Sequence, residues 1–304
     1  MADPTPFVPD TEQRGLISLM PAALRPWLLL GRFDRPIGAW LLYWPGAWAI
    51  ALAGGAVRRW DLLLWFGLGA VAMRAAGCVY NDIVDRDLDA RVQRTRNRPL
   101  ASGRIALRGA WAFLLALCAI GLIVLFQLNR TAQIVAIASI APVAAYPFMK
   151  RITWWPQAWL GLVFSWGALV GWAAVTGGFA WPLAALYGGS ILWVIGYDTI
   201  YALQDIEDDA LAGVKSSARA LGRHARPGIA LFYAGAVALW AIALWLARRD
   251  PLAIVALLPI AGHLGWQVAT LVPADPANAL ARFRANRFAG LLMFLACLVV
   301  GSSL

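Results

Sequence analysis

Runs of about 20 apolar residues recur along this chain, each long enough to carry a helix across a bilayer core of roughly 30 Å. A water-soluble fold has no place for so many, so their repetition restricts the chain to an all-α, polytopic membrane protein. The runs fall at about 37–57, 62–80, 109–128, 132–149, 156–176, 182–204, 227–247, 252–272 and 286–303, which predicts nine transmembrane helices. Composition agrees: 61% of the 304 residues are hydrophobic and 14% are charged, too few polar groups to cover a soluble surface. Pro36 suits the first turn of the first helix, and Asn97-Arg98-Pro99 and Gly177-Gly178 break the chain between runs. Residues 1–26 are polar and contain proline, and are expected to form a cytoplasmic or interfacial segment, with 27–304 as a single transmembrane domain.

A net charge of +10 would suit nucleic acid. The arginines, however, sit in short loops between apolar runs without interleaved aromatic residues, so no nucleic-acid partner is expected. With the N-terminus inside, the inner loops hold most of the Lys and Arg, above all Arg86 to Arg108. The outer loops hold only Arg58, Arg59, Arg130, Arg248 and Arg249. That bias sets the orientation and puts both acidic loops on the cytoplasmic side; the expected location is a bacterial inner membrane, with several passes. Cys78, Cys118 and Cys297 all fall within runs and form no CxxC pair, which argues against a disulfide framework or a zinc site. His224 and His263 read as structural.

Against this background the acids are concentrated. Every Asp or Glu between Leu62 and Arg249 lies in one of two stretches, NDIVDRDLDARVQRTRNR (81–98) or DTIYALQDIEDD (198–209), and each follows an apolar run. Asn81, Asp85 and Asp89 are spaced i, i+4, i+8, which on a helix puts them on one face about 6 Å apart along the axis. Asp205 and Asp209 repeat that spacing 120 residues after Asp85 and Asp89, the mark of an internal repeat. Hard oxygen donors in this number suit Mg²⁺ bridging to a substrate phosphate. Arg86, Arg91, Arg94, Arg98 and Lys215 are placed to meet the remaining phosphate oxygens. The alternative is a proton or cation relay in a transporter, for which acids at mid-membrane rather than at one face are expected. The surrounding arginines favour an anionic ligand bridged by metal.

At these residues the chain resembles a family. GCVYNDIVDRDLDARVQRTRNRPLASGRI and GYDTIYALQDIEDDALAGVKSSARALG are similar to the two aspartate-rich motifs of the UbiA superfamily of intramembrane aromatic prenyltransferases. The likeness extends to RFDRPIGAWLLYWP, AYPFMKRITWWPQAWLG, WQV and RFRANRFAGLL, and covers about 30–303. Within the superfamily the chain most resembles the members that prenylate 4-hydroxybenzoate in ubiquinone biosynthesis.

The resemblance implies nine helices around a central cavity, Mg²⁺ as cofactor, and a polyprenyl diphosphate and 4-hydroxybenzoate as substrates in a lipid setting. It carries metal and diphosphate binding onto Asn81, Asp85, Asp89, Asp205 and Asp209, with Asp82, Asp198 and Asp208 as further candidates. Asp85 and Asp205 are the acids expected to matter most for catalysis. Arg74, two turns before Asn81, is expected to pair with an acid of the cluster or to point at diphosphate. Arg35, Lys150 and Arg151 are candidates for the acceptor's carboxylate, and each also reads as a topology-setting charge. Tyr146 and Tyr201 are candidates for stabilising cation or orienting phosphate, or for an interfacial role. Other superfamily acceptors, a naphthoate, homogentisate, haem or a chlorophyllide, stay open. A CDP-alcohol phosphotransferase does not, because its aspartate-glycine-arginine spacing is absent.

Overall fold

The structure is a computed structural model that describes residues 16–91, 95–206 and 215–302, apart from the side chains of Leu16, Lys150 and Asp205. The described residues form helices and no strands. In chain order these are α1 (Leu16–Leu19), α2 (Arg25–Leu30), α3 (Ile37–Leu52), α4 (Gly55–Arg58), α5 (Trp60–Val84) and α6 (Arg86–Asp89). There follow α7 (Leu107–Leu125), α8 (Arg130–Ala138), α9 (Ile140–Ile152), α10 (Pro156–Thr176) and α11 (Trp181–Ala202). After a 3₁₀ turn at Leu203–Asp205 come α12 (Ser217–Leu221), α13 (Ala225–Ala247), α14 (Pro251–Val255), α15 (Leu258–Ala269) and α16 (Pro276–Gly301).

Among the described residues eight helical segments are long and apolar enough to cross a membrane, and α3 is a shorter apolar helix in the place of the first expected span. The expected nine is therefore met by eight full-length segments and one of 16 residues. α3 stops at Leu52 rather than 57 because Gly54 turns left-handed (φ 74°), a conformation glycine takes without steric cost. The last helix begins at Pro276, ahead of the expected 286, because Asp275 caps it by accepting from Ala277 N and Asn278 N. Arg282, Arg284 and Arg287 therefore lie within this helix.

The chain divides into two compact units, residues up to Ala39 with Leu68–Ile123, and Trp40–Gly67 with Val124 onward. In the first, Leu30, Ala75, Val79, Leu100, Ile105, Ala110 and Leu114 form a buried cluster. Trp27 packs edge-on against Phe113, ring centroids 5.6 Å apart. This core holds the Arg32–Arg35 turn beside the end of α5.

In the second unit α3 and α10 meet backbone to backbone. A Cβ on Gly171 would lie 2.6 Å from Gly46 O, and one on Gly167 would lie 3.4 Å from Gly46 N. Small residues allow such approach where apolar lipid gives helices no hydrophobic reason to associate. Replacing Gly171 by Leu should force α3 and α10 apart and cost about 1–3 kcal/mol. The check is a lowered thermal unfolding midpoint in detergent, and an unchanged midpoint would refute this account of the contact. Asn129 joins elements in the same unit. It caps α8 by accepting from Ala132 N, while its Nδ2 donates to Ala173 O at 2.7 Å and Ala174 O at 3.1 Å on α10. Large apolar side chains such as Leu115, Phe126 and Trp181 are exposed, as lipid-facing residues must be.

Candidate functional site

The first acidic stretch begins inside a helix, not after one. α5 continues through Val84, so Asn81 and Asp82 occupy its last turn. The helix breaks at Asp85 (φ −96°, ψ 7°), and α6 carries on to Asp89. Backbone bonds still link Asp85 N to Asn81 O at 2.9 Å and Asp89 N to Asp85 O at 2.8 Å, so the one-turn spacing of the three survives the break. The side chains of Asn81 and Asp85 are half-buried, whereas Asp82 and Asp89 are buried.

The two buried acids are bound to arginines. Arg32 Nη2 donates to both oxygens of Asp82, at 2.8 and 3.1 Å. Arg98 Nη1 donates to Asp89 Oδ2 at 2.8 Å and lies 3.3 Å from Asp82 Oδ1. Arg32 adopts φ 56°, the sole positive φ among the described non-glycine residues, and its Nη1 donates to Leu29 O at 2.9 Å. An arginine held in that conformation stores strain that its paired surroundings must offset. Thr95 donates its hydroxyl to Asp89 O at 2.9 Å, which fixes the return of the loop. Burial pushes the Asp89 carboxyl up, the Arg98 charge draws it down, and the charge of Asp82 adds to the rise; the net direction is upward. Asp34 is also raised by burial, against the pull of Arg35 and Arg32. Arg35 Nε reaches Asp34 Oδ2 at 3.2 Å, and Asp34 Oδ1 is buried without a partner.

Of the other sequence candidates in this unit, Arg86 and Arg91 are exposed. Among the described residues Arg74 reaches no acid: its Nη1 donates to Cys78 Sγ one turn on, and its Nε is buried and unpartnered beside Gly38. Arg32 escaped sequence reasoning except as a topology charge. Its partner lies 50 residues away, and nothing local marks the pair.

In the second unit, Asp198 and Tyr201 are half-buried one turn apart near the end of α11. Trp193, Tyr197 and Tyr201 form an i, i+4, i+8 row on that helix. Trp193 packs on Tyr197 at 4.8 Å, and Tyr201 lies against Phe283 at 4.6 Å. Asn286 ties this helix to its neighbours: its Oδ1 accepts from Trp193 Nε1 at 2.8 Å, and its Nδ2 donates to Gln267 Oε1 at 3.0 Å. Lys215 is brought to the end of α9, where Nζ donates to Ile152 O at 3.3 Å, next to the exposed Arg151 and in sequence to Lys150. Lys215 and Arg219 both lie over the Trp154 ring. Tyr146 is half-buried in α9. The side chains of Lys150 and Asp205, and all of Arg94, Asp208 and Asp209, lie outside the described residues. Among the described residues no three His, Cys, Asp or Glu gather at metal-holding distance. Asn81, Asp85 and Asp89 bring oxygen donors to the end of α5 and to α6, those of Asp89 shared with Arg98.

The model of the UbiA prenyltransferase family matches residues 42–298. A mitochondrial 4-hydroxybenzoate polyprenyltransferase of Drosophila pseudoobscura pseudoobscura is 42% identical, over 98% of this chain and 76% of its own length. A 4-hydroxybenzoate geranyltransferase 2 of Lithospermum erythrorhizon is 41% identical, over 92% of each chain. Among solved structures, the apo form of a UbiA homolog from Aeropyrum pernix K1 superposes with a TM-score of 0.70 at 26% identity, over 86% of this chain and 97% of that one. A UbiA homolog from Archaeoglobus fulgidus bound to GPP and Mg²⁺ gives 0.67 at 19% identity, over 92% and 100%, a likeness of fold. These relatives correct one expectation. Several are named as mitochondrial enzymes of eukaryotes, from Drosophila to Arabidopsis thaliana, which overturns the assignment to a bacterial inner membrane.

Proposed function

This chain belongs to the UbiA prenyltransferase family, and from that premise we infer that it is a Mg²⁺-dependent 4-hydroxybenzoate polyprenyltransferase. It transfers a polyprenyl group from polyprenyl diphosphate to 4-hydroxybenzoate, ortho to the hydroxyl, giving 3-polyprenyl-4-hydroxybenzoate for ubiquinone biosynthesis. The observation that carries the reading is the 42% identity over nearly the whole chain to enzymes of that name. The Archaeoglobus structure with GPP and Mg²⁺ supports the choice of donor and cofactor.

Asn81, Asp85 and Asp89 in the first stretch, and Asp198, Asp205, Asp208 and Asp209 in the second, are the residues we assign to the metal. Hard, mainly anionic oxygen donors suit Mg²⁺. Asp82 has a different place in this reading, because its two arginines make it an anchor for the end of α5. When bound, Mg²⁺ supplies positive charge against the departing diphosphate. Arg98, Arg86, Arg91 and Lys215 add donors for its oxygens, with Arg98 exchanging a carboxylate for phosphate. Tyr201 and Tyr146 offer aromatic rings to the allylic cation, and Arg74 a positive charge to the diphosphate. Arg35, Lys150 and Arg151 meet the acceptor's carboxylate. An allylic cation is captured by water, so apolar walls protect it until the electron-rich ring attacks and a proton is lost. No enzyme nucleophile is required.

The test is product formation in detergent from geranyl diphosphate and 4-hydroxybenzoate, with Mg²⁺ and with a chelator. Mg²⁺-dependent 3-geranyl-4-hydroxybenzoate is the expected result. Product with a naphthoate or homogentisate but none with 4-hydroxybenzoate would move the acceptor. No diphosphate release with any acceptor would sink the reading.

A further inference from the structure

Two buried acids and two arginines meet where α5 ends and α6 begins. Asp82 takes two donations from Arg32, at 2.8 and 3.1 Å, and Arg98 stands further off at 3.3 Å. Arg98 gives its short bond, 2.8 Å, to Asp89 Oδ2. The Asp89 side chain is 9% exposed and that of Arg98 is 34% exposed. The acid therefore has little water to turn to, while the arginine reaches the surface. The backbone around the pair is tied down. The Thr95 hydroxyl donates to Asp89 O, and Arg98 N donates to Thr95 O at 2.9 Å. Arg98 O in turn accepts from Ser102 N at 2.9 Å and from Ser102 Oγ at 2.8 Å. Arg98 can leave Asp89 by turning its side chain, with the backbone unmoved.

Asp89 is one of the acids assigned to Mg²⁺ above, so the ion and the Arg98 guanidinium contend for one carboxylate. A dication on Asp89 with Arg98 still in place sets like charges side by side. That repulsion weakens binding about tenfold or more, even at the dielectric of water. A diphosphate that drew Arg98 away by itself would leave Asp89 buried and unpaired, which is costly as well. Arriving together, the two offset both costs: the ion takes the carboxylate, and the phosphate takes the guanidinium. Asp82 keeps Arg32 throughout, so the end of α5 stays anchored.

We propose that Arg98 makes the binding of Mg²⁺ at Asp89 conditional on diphosphate. Its guanidinium holds the carboxylate against free Mg²⁺ and yields it when a diphosphate takes the guanidinium. The inference rests on the prenyl-transfer reading above and adds an order to it: the ion is taken up with the diphosphate, not before it. Metal and diphosphate are then coupled through an internal counter-ion as well as through their direct attraction.

The experiment is calorimetric titration with Mg²⁺ in detergent, without and with inorganic diphosphate. It compares wild type, Arg98→Gln, Arg98→Lys, Asp89→Asn and the double variant Arg98→Gln with Asp89→Asn. Prenyl transfer by wild type is measured on the same preparation. Without diphosphate, Arg98→Gln should bind Mg²⁺ about tenfold more tightly than wild type, a gain that a merely structural role would not produce. Arg98→Lys, which keeps the charge, should stay near wild type. The gain should vanish in the double variant, because it runs through the Asp89 carboxylate. Asp89→Asn alone reads the same competition if Arg98→Gln does not accumulate. It should leave Mg²⁺ binding without diphosphate near wild type, and weaken it about tenfold or more with diphosphate. Equal Mg²⁺ affinity in Arg98→Gln and wild type, or an equal loss for Asp89→Asn under both conditions, overturns the proposal and leaves Mg²⁺-dependent prenyl transfer intact. A wild-type protein that binds Mg²⁺ under neither condition and makes no product overturns both.

Discussion

Asp85→Asn should lower Mg²⁺-dependent prenyl transfer by on the order of 10²-fold or more, the loss typical when a preorganised charge on the leaving side of a transition state is removed. The substitution is isosteric, and Asp85 sits half-buried at the break between α5 and α6, where the backbone bonds to Asn81 and from Asp89 do not depend on its carboxylate. The fold should therefore hold, with an unfolding midpoint close to that of wild type. A shortfall partly recovered at high Mg²⁺ would place the defect in metal binding. Asp87, two residues on, is exposed, and Asp87→Asn should change activity by no more than about twofold. Equal losses in the two variants would show that the stretch acts through its total charge, and the assignment of Asp85 to metal would fall.

Arg32→Leu should cost about 3–5 kcal/mol, because it leaves a buried carboxylate without its main partner. Arg32 and Asp82 are 13% and 4% exposed at their side chains, so water cannot replace the lost donors. Leucine suffers from the same left-handed backbone as arginine, so this change isolates the ion pair from the strain. Arg32→Lys keeps the charge but not the two-pronged donation, and should lose less. The measurement is the thermal midpoint in detergent of Arg32→Leu, Asp82→Leu and the double variant. Two single losses that do not add would confirm the coupling. Full additivity would mean that Arg98, which also reaches Asp82, is the partner that matters.

The comparison of sequence with structure turns on distance along the chain. The expectation for Asn81, Asp85 and Asp89 needed only helical spacing, and the backbone keeps that spacing although the helix breaks at Asp85. The expectation for Arg74, to pair with an acid or to point at diphosphate, depends on which way a long side chain turns, and helical spacing does not settle that; in the structure its Nη1 donates to Cys78 Sγ. Arg32 with Asp82, and Gln157 with Ser217, carried no local signature because the partners lie 50 and 60 residues apart.

What the sequence determined by itself is whatever depends on neighbours within a few turns. That covers the all-helical membrane architecture, written in runs of apolar residues too long for any other use, and the two acidic stretches, conspicuous because charge is so costly near a bilayer. Its motifs also carry the family. What only the tertiary structure decided is which buried charges and hydroxyls satisfy one another: Asp82 held by Arg32 and Arg98, Thr199 by Ser217, Trp193 by Asn286. A buried polar group must find a partner wherever the packed chain brings one, and that is settled by how helices pack, not by the order of residues along any one of them.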